Sequence, residues 1–195
     1  RARDLDTIHL RACSPFNQTL REAAARAGAL LVDVEQVFAQ DSPRGIIGDE
    51  LVSEYLHPSV YGHFLMARSM VETALLHPEE LGLRGGSLER LAAYAEYEER
   101  LGYGVRDRIY ARNNLILFLR SMPYEEKPAT LRRRVAELVE LQVKDLLKLS
   151  YGEIRSFAGR GGLRFLGQVI ADMDGEDGKR LHLQLAEVAG PLGLD

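Results

Sequence analysis

A chain of 195 residues with 46% apolar content and a net charge of −4 holds enough material for a packed core, one domain or one and a half small ones. Its basic and acidic residues are interspersed, which excludes the basic stripe of a nucleic-acid surface, and its single cysteine, Cys13, excludes an internal disulfide and a zinc site of several thiolates. No apolar run of about eighteen residues is present to span a membrane, and no signal peptide is visible.

The chain opens at Arg1 without a methionine or a leading strand, so the sequence reads as a truncated or processed piece whose compartment stays open. Cys13 reads as a small residue buried or half-buried in packing. Ser14 as N-cap and Pro15 at the first helical position start a helix. Phe16, Leu20, Ala23, Ala24 and Ala27 recur along it at helical spacing, and Gly28 ends it. The apolar run Ala29 to Val34 then reads as a buried strand with Asp33 at its end. A helical turn over 35–40 follows, and the Pro and Gly residues of 41–50 predict a loop.

His57 stands directly before Pro58, and a helix is predicted over 58–76. Its apolar residues include Val60, Phe64, Met70 and Val71, and Gly62 and Ala67 are small enough for close packing against a sheet. Residues 77–86 predict a linker. Beyond it the pattern is helical throughout, with helices over 87–102, 105–122 and 128–150, the last two separated by Pro123 and Pro128. The second and third are amphipathic and predict a packed pair burying Ile109, Leu115, Leu117, Leu119, Leu131, Val135, Leu138 and Leu146. Ser150 with Glu153 gives a capping-box pattern for a short helix, broken by Gly159, Gly161 and Gly162. Residues 163–173 and 179–189 predict two more helices.

The chemistry-bearing candidates centre on His57. At a helix N-cap the positive end of the dipole disfavours an imidazolium and keeps the ring in its proton-accepting form. Glu54, three residues earlier, can meet it if residues 54–57 bend as one turn, fixing the ring tautomer. If the segment is extended, the two side chains fall on opposite faces, roughly 10 Å apart along the chain. The bland alternative is a polar helix start with a solvated glutamate.

Four features together resemble the C-terminal part of SGNH (GDSL-type) hydrolases over residues 5–76. They are Phe16-Asn17 with Leu20-Arg21 and Ala24, the Leu30–Val34 run, the loop from Gly45 through Gly48-Asp49-Glu50-Leu51, and Glu54, His57-Pro58 and Gly62. The resemblance implies an α/β remnant of a flavodoxin-like fold, His57 as the catalytic base and Glu54 as its acidic partner. Glu54 stands where the family most often has Asp. It implies an ester or acetyl substrate, a small molecule or an acetylated glycan, and no metal or organic cofactor. The family's nucleophilic serine, in a Gly-Asp-Ser turn, and its oxyanion-hole Gly and Asn are expected before residue 1, so this stretch alone is not expected to hydrolyse esters. Gly48–Leu51 imitates the serine box with Glu50 in the serine position, and Asp41-Ser42 imitates it in a loop; neither offers a strained strand-to-helix turn beside a base. Residues from Gly82 to Pro128 weakly resemble the helical extension that follows the hydrolase domain in some members, joined to tetratricopeptide-like helices.

The expected organisation is therefore residues 1–76 as the hydrolase remnant, 77–86 as linker and 87–195 as a helical extension, the whole being mostly helical. One strand cannot form a sheet alone, so the 29–34 run is expected exposed, paired with another chain or unformed. The alternative reading is a non-catalytic helical module that docks a protein partner through its C-terminal region.

Remaining signals read as structural. Asp172, Asp174 and Glu176 alternate like a calcium loop, but Asp177 stands where glycine is needed and Leu183 where the bidentate glutamate is needed. Arg132, Arg133 and Arg134 fan around a helix with Glu137 facing them. His63 lies nearly opposite His57 in azimuth and reads as a packing or surface residue. Tyr94, Tyr97, Tyr103 and Tyr110 read as core and boundary residues.

Overall fold

The computed structural model describes residues 12–53, 56–121, 129–173 and 175–193. Backbone packing divides the chain into two compact units, Arg1–Tyr97 and Glu98–Asp195. The segment 77–86 lies inside the first.

In the first unit, α1 spans Ser14–Ala27, with Cys13 rather than Ser14 at the N-cap and Pro15 in the first turn. It ends as Gly28 turns to φ +61°, and the Gly28 and Ala29 amides return to the carbonyls of Ala25 and Ala24 at 3.3 and 3.0 Å. That left-handed C-cap is a conformation glycine adopts without a Cβ penalty. None of the residues of α1 is buried.

The run 29–33 forms no strand, and among the described residues the sole β pairing is an isolated antiparallel bridge, Val52 with Pro58. The expectation of an α/β, flavodoxin-like remnant is therefore corrected to an all-helical architecture among the described residues. The physical reason is local. Leu30 and Leu31 stay 36% and 43% exposed, with no neighbouring strand among the described residues to take their backbone groups. Asp33, expected at a strand end, instead caps α2 (Val34–Asp41), its Oδ1 accepting from the Gln36 amide at 3.2 Å. Arg21 of α1 reaches Asp33 at 2.5 Å and Glu35 at 2.8 Å, and the Asn17 amide adds 3.0 Å to Glu35. These contacts draw the segment after Gly28 into a helix start. The mostly helical character of the chain agrees with the sequence reading.

The third helix, α3, spans Val60–Leu76. It packs on α2, where Phe38 is buried, and Leu51 is fully buried. Tyr61, Phe64, Tyr94 and Tyr97 form an aromatic cluster with centroids 5.0 to 6.0 Å apart. Ala67 is exposed, so the expected small-residue contact with a sheet does not exist. Gly62 is used differently, as described below.

The helix expected over 87–102 is split. A 3-10 turn covers Leu88–Arg90, and α4 covers Tyr94–Leu101. Nothing in residues 91–93 explains the interruption.

The second unit contains α5 (Val105–Ser121), α6 (Ala129–Leu146), α7 (Tyr151–Gly159), α8 (Gly162–Ala171) and α9 (Gly175–Ala189). The expected pairing of α5 with α6 forms. Ile109, Leu119, Val135, Leu138 and Leu146 are buried as expected, Leu115 and Leu131 are partly buried against the core, and Leu117 is 53% exposed. The α6 stripe also holds Val139, Gln142 and Val143, all fully buried at helical spacing. Phe157 of α7, Leu163, Leu166, Val169 and Ile170 of α8, and Leu181, Leu185 and Val188 of α9 complete one continuous core. The expected cap of α7 is present. Glu153 accepts from the Ser150 amide at 3.0 Å and from its hydroxyl at 2.6 Å.

Candidate functional site

The short loop around His57 is built by two backbone rungs. The Ser59 amide donates to the Leu51 carbonyl at 2.8 Å, and the Ser53 amide donates to the His57 carbonyl at 2.8 Å. Together with the Val52–Pro58 bridge they close the chain into a narrow antiparallel turn. His57 lies at the last rung, with its side chain exposed.

His57 is not the N-cap of α3, as the sequence suggested. Ser59 is: its Oγ accepts from the Gly62 amide at 3.0 Å. The reason is chemical. A hydroxyl oxygen accepts a helix amide well, and Pro58 fits the extended backbone before the cap. His57 is thereby set two residues ahead of the cap, on the turn that leads into the helix. Glu54, its expected partner, lies outside the described residues.

The turn is seated on α3 by an unusually close approach. Gly62 is buried, and a Cβ built there would collide with the Leu51 carbonyl oxygen. Only a residue without a side chain lets the first turn of α3 lie against that backbone. Ser59 adds a second tie, its hydroxyl donating to the Glu50 carbonyl at 2.7 Å.

In the two serine-box imitations the acidic residues make local structural contacts. The Glu50 carboxylate turns back on its own backbone amide and accepts from the Gly48 amide at 3.0 Å. Its own amide is the chief cause that holds the carboxyl below its ordinary value; desolvation opposes, and the Gly48 amide assists. Ser42 is buried, ends α2 in ordinary extended backbone with φ −88°, and so has no strained elbow. Asp41 accepts from the Tyr61 hydroxyl at 3.2 Å. His63 is exposed, and its Nδ1 lies 2.9 Å from the Ser59 carbonyl one turn back.

Among the described residues, no group of three or more His, Cys, Asp or Glu is placed to hold a metal ion, and no helix is long and apolar enough to cross a membrane. In the region that imitated a calcium loop, Asp172 pairs with Arg120 and Glu176 with Lys179 at 2.8 Å, while Asp174 lies outside the described residues. Arg133 and Arg134 both reach Glu137 at 3.6 Å. Tyr110 packs edge-on to Phe157 with the Arg160 guanidinium 4.5 Å above its ring.

The sequence reading missed one polar cluster in the second unit. Arg112 donates to Gln142 at 3.2 Å and pairs with Asp145 at 3.0 Å, and Gln142 donates to the Ile109 carbonyl at 2.9 Å. Lys148 reaches the other Asp145 oxygen at 2.7 Å. Burial pushes the Asp145 carboxyl up, but Lys148 and Arg112 outweigh it and leave the group below its ordinary value. The available signal was Gln142 itself, a polar residue inside the apolar stripe of α6. The cluster ties α5 to α6.

Comparison with protein-family models, with curated proteins and with solved structures finds no match.

Proposed function

We propose that residues 1–76 are the C-terminal portion of a serine ester hydrolase of the SGNH type, with His57 as the general base and Glu54 as its acidic partner. The reading claims a proton-transfer site and no sheet. The observation that carries it is the placement of His57. Its imidazole is exposed, and its backbone is fixed by the Ser53 amide at the end of a closed turn. A general base needs access to a proton and a defined position; the exposed ring and the tie on its backbone support that reading. The exposed Phe16 and Leu20 of α1 and Leu30 and Leu31 beyond it support a unit that completes its core against more of the same domain.

In the intact hydrolase His57 takes the proton of a serine hydroxyl as the serine oxygen attacks an ester or acetyl carbonyl. The alcohol leaves with that proton, and the acyl group stays on the serine oxygen. Water, deprotonated by the same imidazole, then attacks that acyl carbon; the serine–acyl bond breaks, the imidazolium returns the proton to the serine oxygen and the acid is released. The reading assigns the serine and the oxyanion hole to residues outside this stretch, and it requires no cofactor.

The test is His57→Ala in the full-length protein with a chromogenic acetyl ester. The expected loss is roughly a hundred- to ten-thousandfold in kcat, the usual contribution of a positioned general base. Hydrolysis unchanged in that variant overturns the reading.

A second reading rests on the second unit. Its core is continuous across α5 to α9, as a helical scaffold that docks a protein partner requires. Full-length protein without esterase activity, but with a partner captured by residues 87–195, favours this reading.

A further inference from the structure

We infer that Ser59 is a positioning residue for His57, an inference that rests on the hydrolase reading above. Ser59 makes contacts through all its polar groups. Its amide donates to Leu51 at 2.8 Å, its hydroxyl donates to the Glu50 carbonyl at 2.7 Å, and the same oxygen accepts from the Gly62 amide at 3.0 Å. Its carbonyl accepts from the His63 amide at 2.8 Å and faces the His63 ring at 2.9 Å.

These contacts have one geometric consequence. The hydroxyl is simultaneously the cap of α3 and a strut to residue 50, on the opposite side of the turn. The turn's two arms, 50–53 and 57–59, are thereby referred to the axis of the helix. His57 is held at the end of that lever by the Ser53 amide. The Leu51–Gly62 approach leaves no room for the helix to slide over the turn. Removing the Ser59 hydroxyl keeps the backbone rung to Leu51 but frees the angle between turn and helix. An imidazole displaced by a fraction of an ångström from its nucleophile loses rate and not substrate binding.

The experiment compares Ser59→Ala, Ser59→Thr, His57→Ala and Ser150→Ala in the full-length protein, with kcat and KM for a chromogenic acetyl ester. Threonine keeps a hydroxyl able to cap and to donate. Ser150→Ala removes a hydroxyl at the start of α7, one that donates to the Glu153 carboxylate, and serves as the control for simple loss of stability. Ser59→Ala is expected to lower kcat by about ten- to a hundredfold with KM unchanged, and Ser59→Thr to restore most of it. Ser150→Ala is expected to leave both constants as they were. In the same Ser59→Ala protein, exchange of the Ser53 and Gly62 amides is expected to quicken by roughly five- to tenfold, as loss of a cap implies.

If His57→Ala is silent, the hydrolase reading and this inference fall together. If His57→Ala is inactive while Ser59→Ala turns over normally, only the positioning role is overturned. The same holds if threonine fails to restore kcat, or if Ser150→Ala lowers it equally.

Discussion

The two units are nearly equal in length but are held together by different physics. Among the described residues, sixteen buried apolar side chains form one cluster in the second unit. Among its described residues the first unit buries two large apolar side chains, Phe38 and Leu51, and its α1 buries none. Helices of this length are marginal in water without packing. Those of the second unit are stabilised by an apolar stripe against neighbours. Those of the first are bounded by local chemistry: the Gly28 turn, the Asp33 cap, the Ser59 cap and the Arg21 fork onto Asp33 and Glu35. Burial decides the second unit, and capping and charge decide where the first unit's elements begin and end.

That contrast can be broken by substitution. The largest effect is expected at the centre of the second unit. Leu166 is fully buried, so Leu166→Ala is expected to cost about 2–5 kcal/mol in a denaturant titration followed by helix signal. In the same 195-residue chain Leu20→Ala, on exposed α1, is expected to stay within about 0.5 kcal/mol. Equal losses at both positions would erase the distinction.

Next comes the Arg112 cluster. Arg112→Ala leaves the mostly buried Asp145 with Lys148 as its remaining ion-pair partner and removes a donor from the Gln142 side-chain oxygen, and is expected to cost about 1–3 kcal/mol at neutral pH. The sign with pH follows from the lowered Asp145 carboxyl. Its contribution is complete above the ordinary value of 3.8 and is lost as pH falls through the lower folded value. The penalty of Arg112→Ala, measured by thermal melts, is therefore expected to shrink below about pH 4. A penalty that grows on acidification contradicts the assignment.

Gly62→Ala probes the first unit at the point where it is tightly packed. A methyl there collides with the Leu51 backbone, and the expected cost is about 1–3 kcal/mol, with faster exchange of the Ser59 amide. The smallest of these effects is expected at the α7 cap. Ser150→Ala is expected to remove about 1 kcal/mol, read as a shift in the denaturation midpoint with unchanged slope.

Part of the candidate site was legible in the sequence. The pairing of His57 with Pro58, the helix after it and the small Gly62 were visible as residue types at fixed spacing. The identity of the cap was not. His57 and Ser59 both precede the helix, and only the hydrogen bond from Gly62 assigns the role to Ser59. The reason Gly62 must be small was also hidden, because its neighbour is a carbonyl eleven residues earlier in the chain rather than a sheet. The 29–34 run misled because four to six apolar residues read equally as a strand or as the approach to a helix. Asp33 settled the matter through a cap and an ion pair with a residue twelve positions away.

By itself the sequence determined where helices of the second unit lie and which faces they bury, because a 3.6-residue period is a local property that survives in any packing. It also determined the stops at Gly28 and the cap at Ser150, since a left-handed turn and a capping carboxylate act within a few residues. Tertiary structure decided that the apolar run after α1 pairs with nothing among the described residues, that Leu117 faces outward while Ile116 fills the core, and that Arg112 finds Asp145 across two helices. Each of those depends on what stands opposite. A chain records its own periodicity, but the partner across a gap is fixed only when the helices have come together.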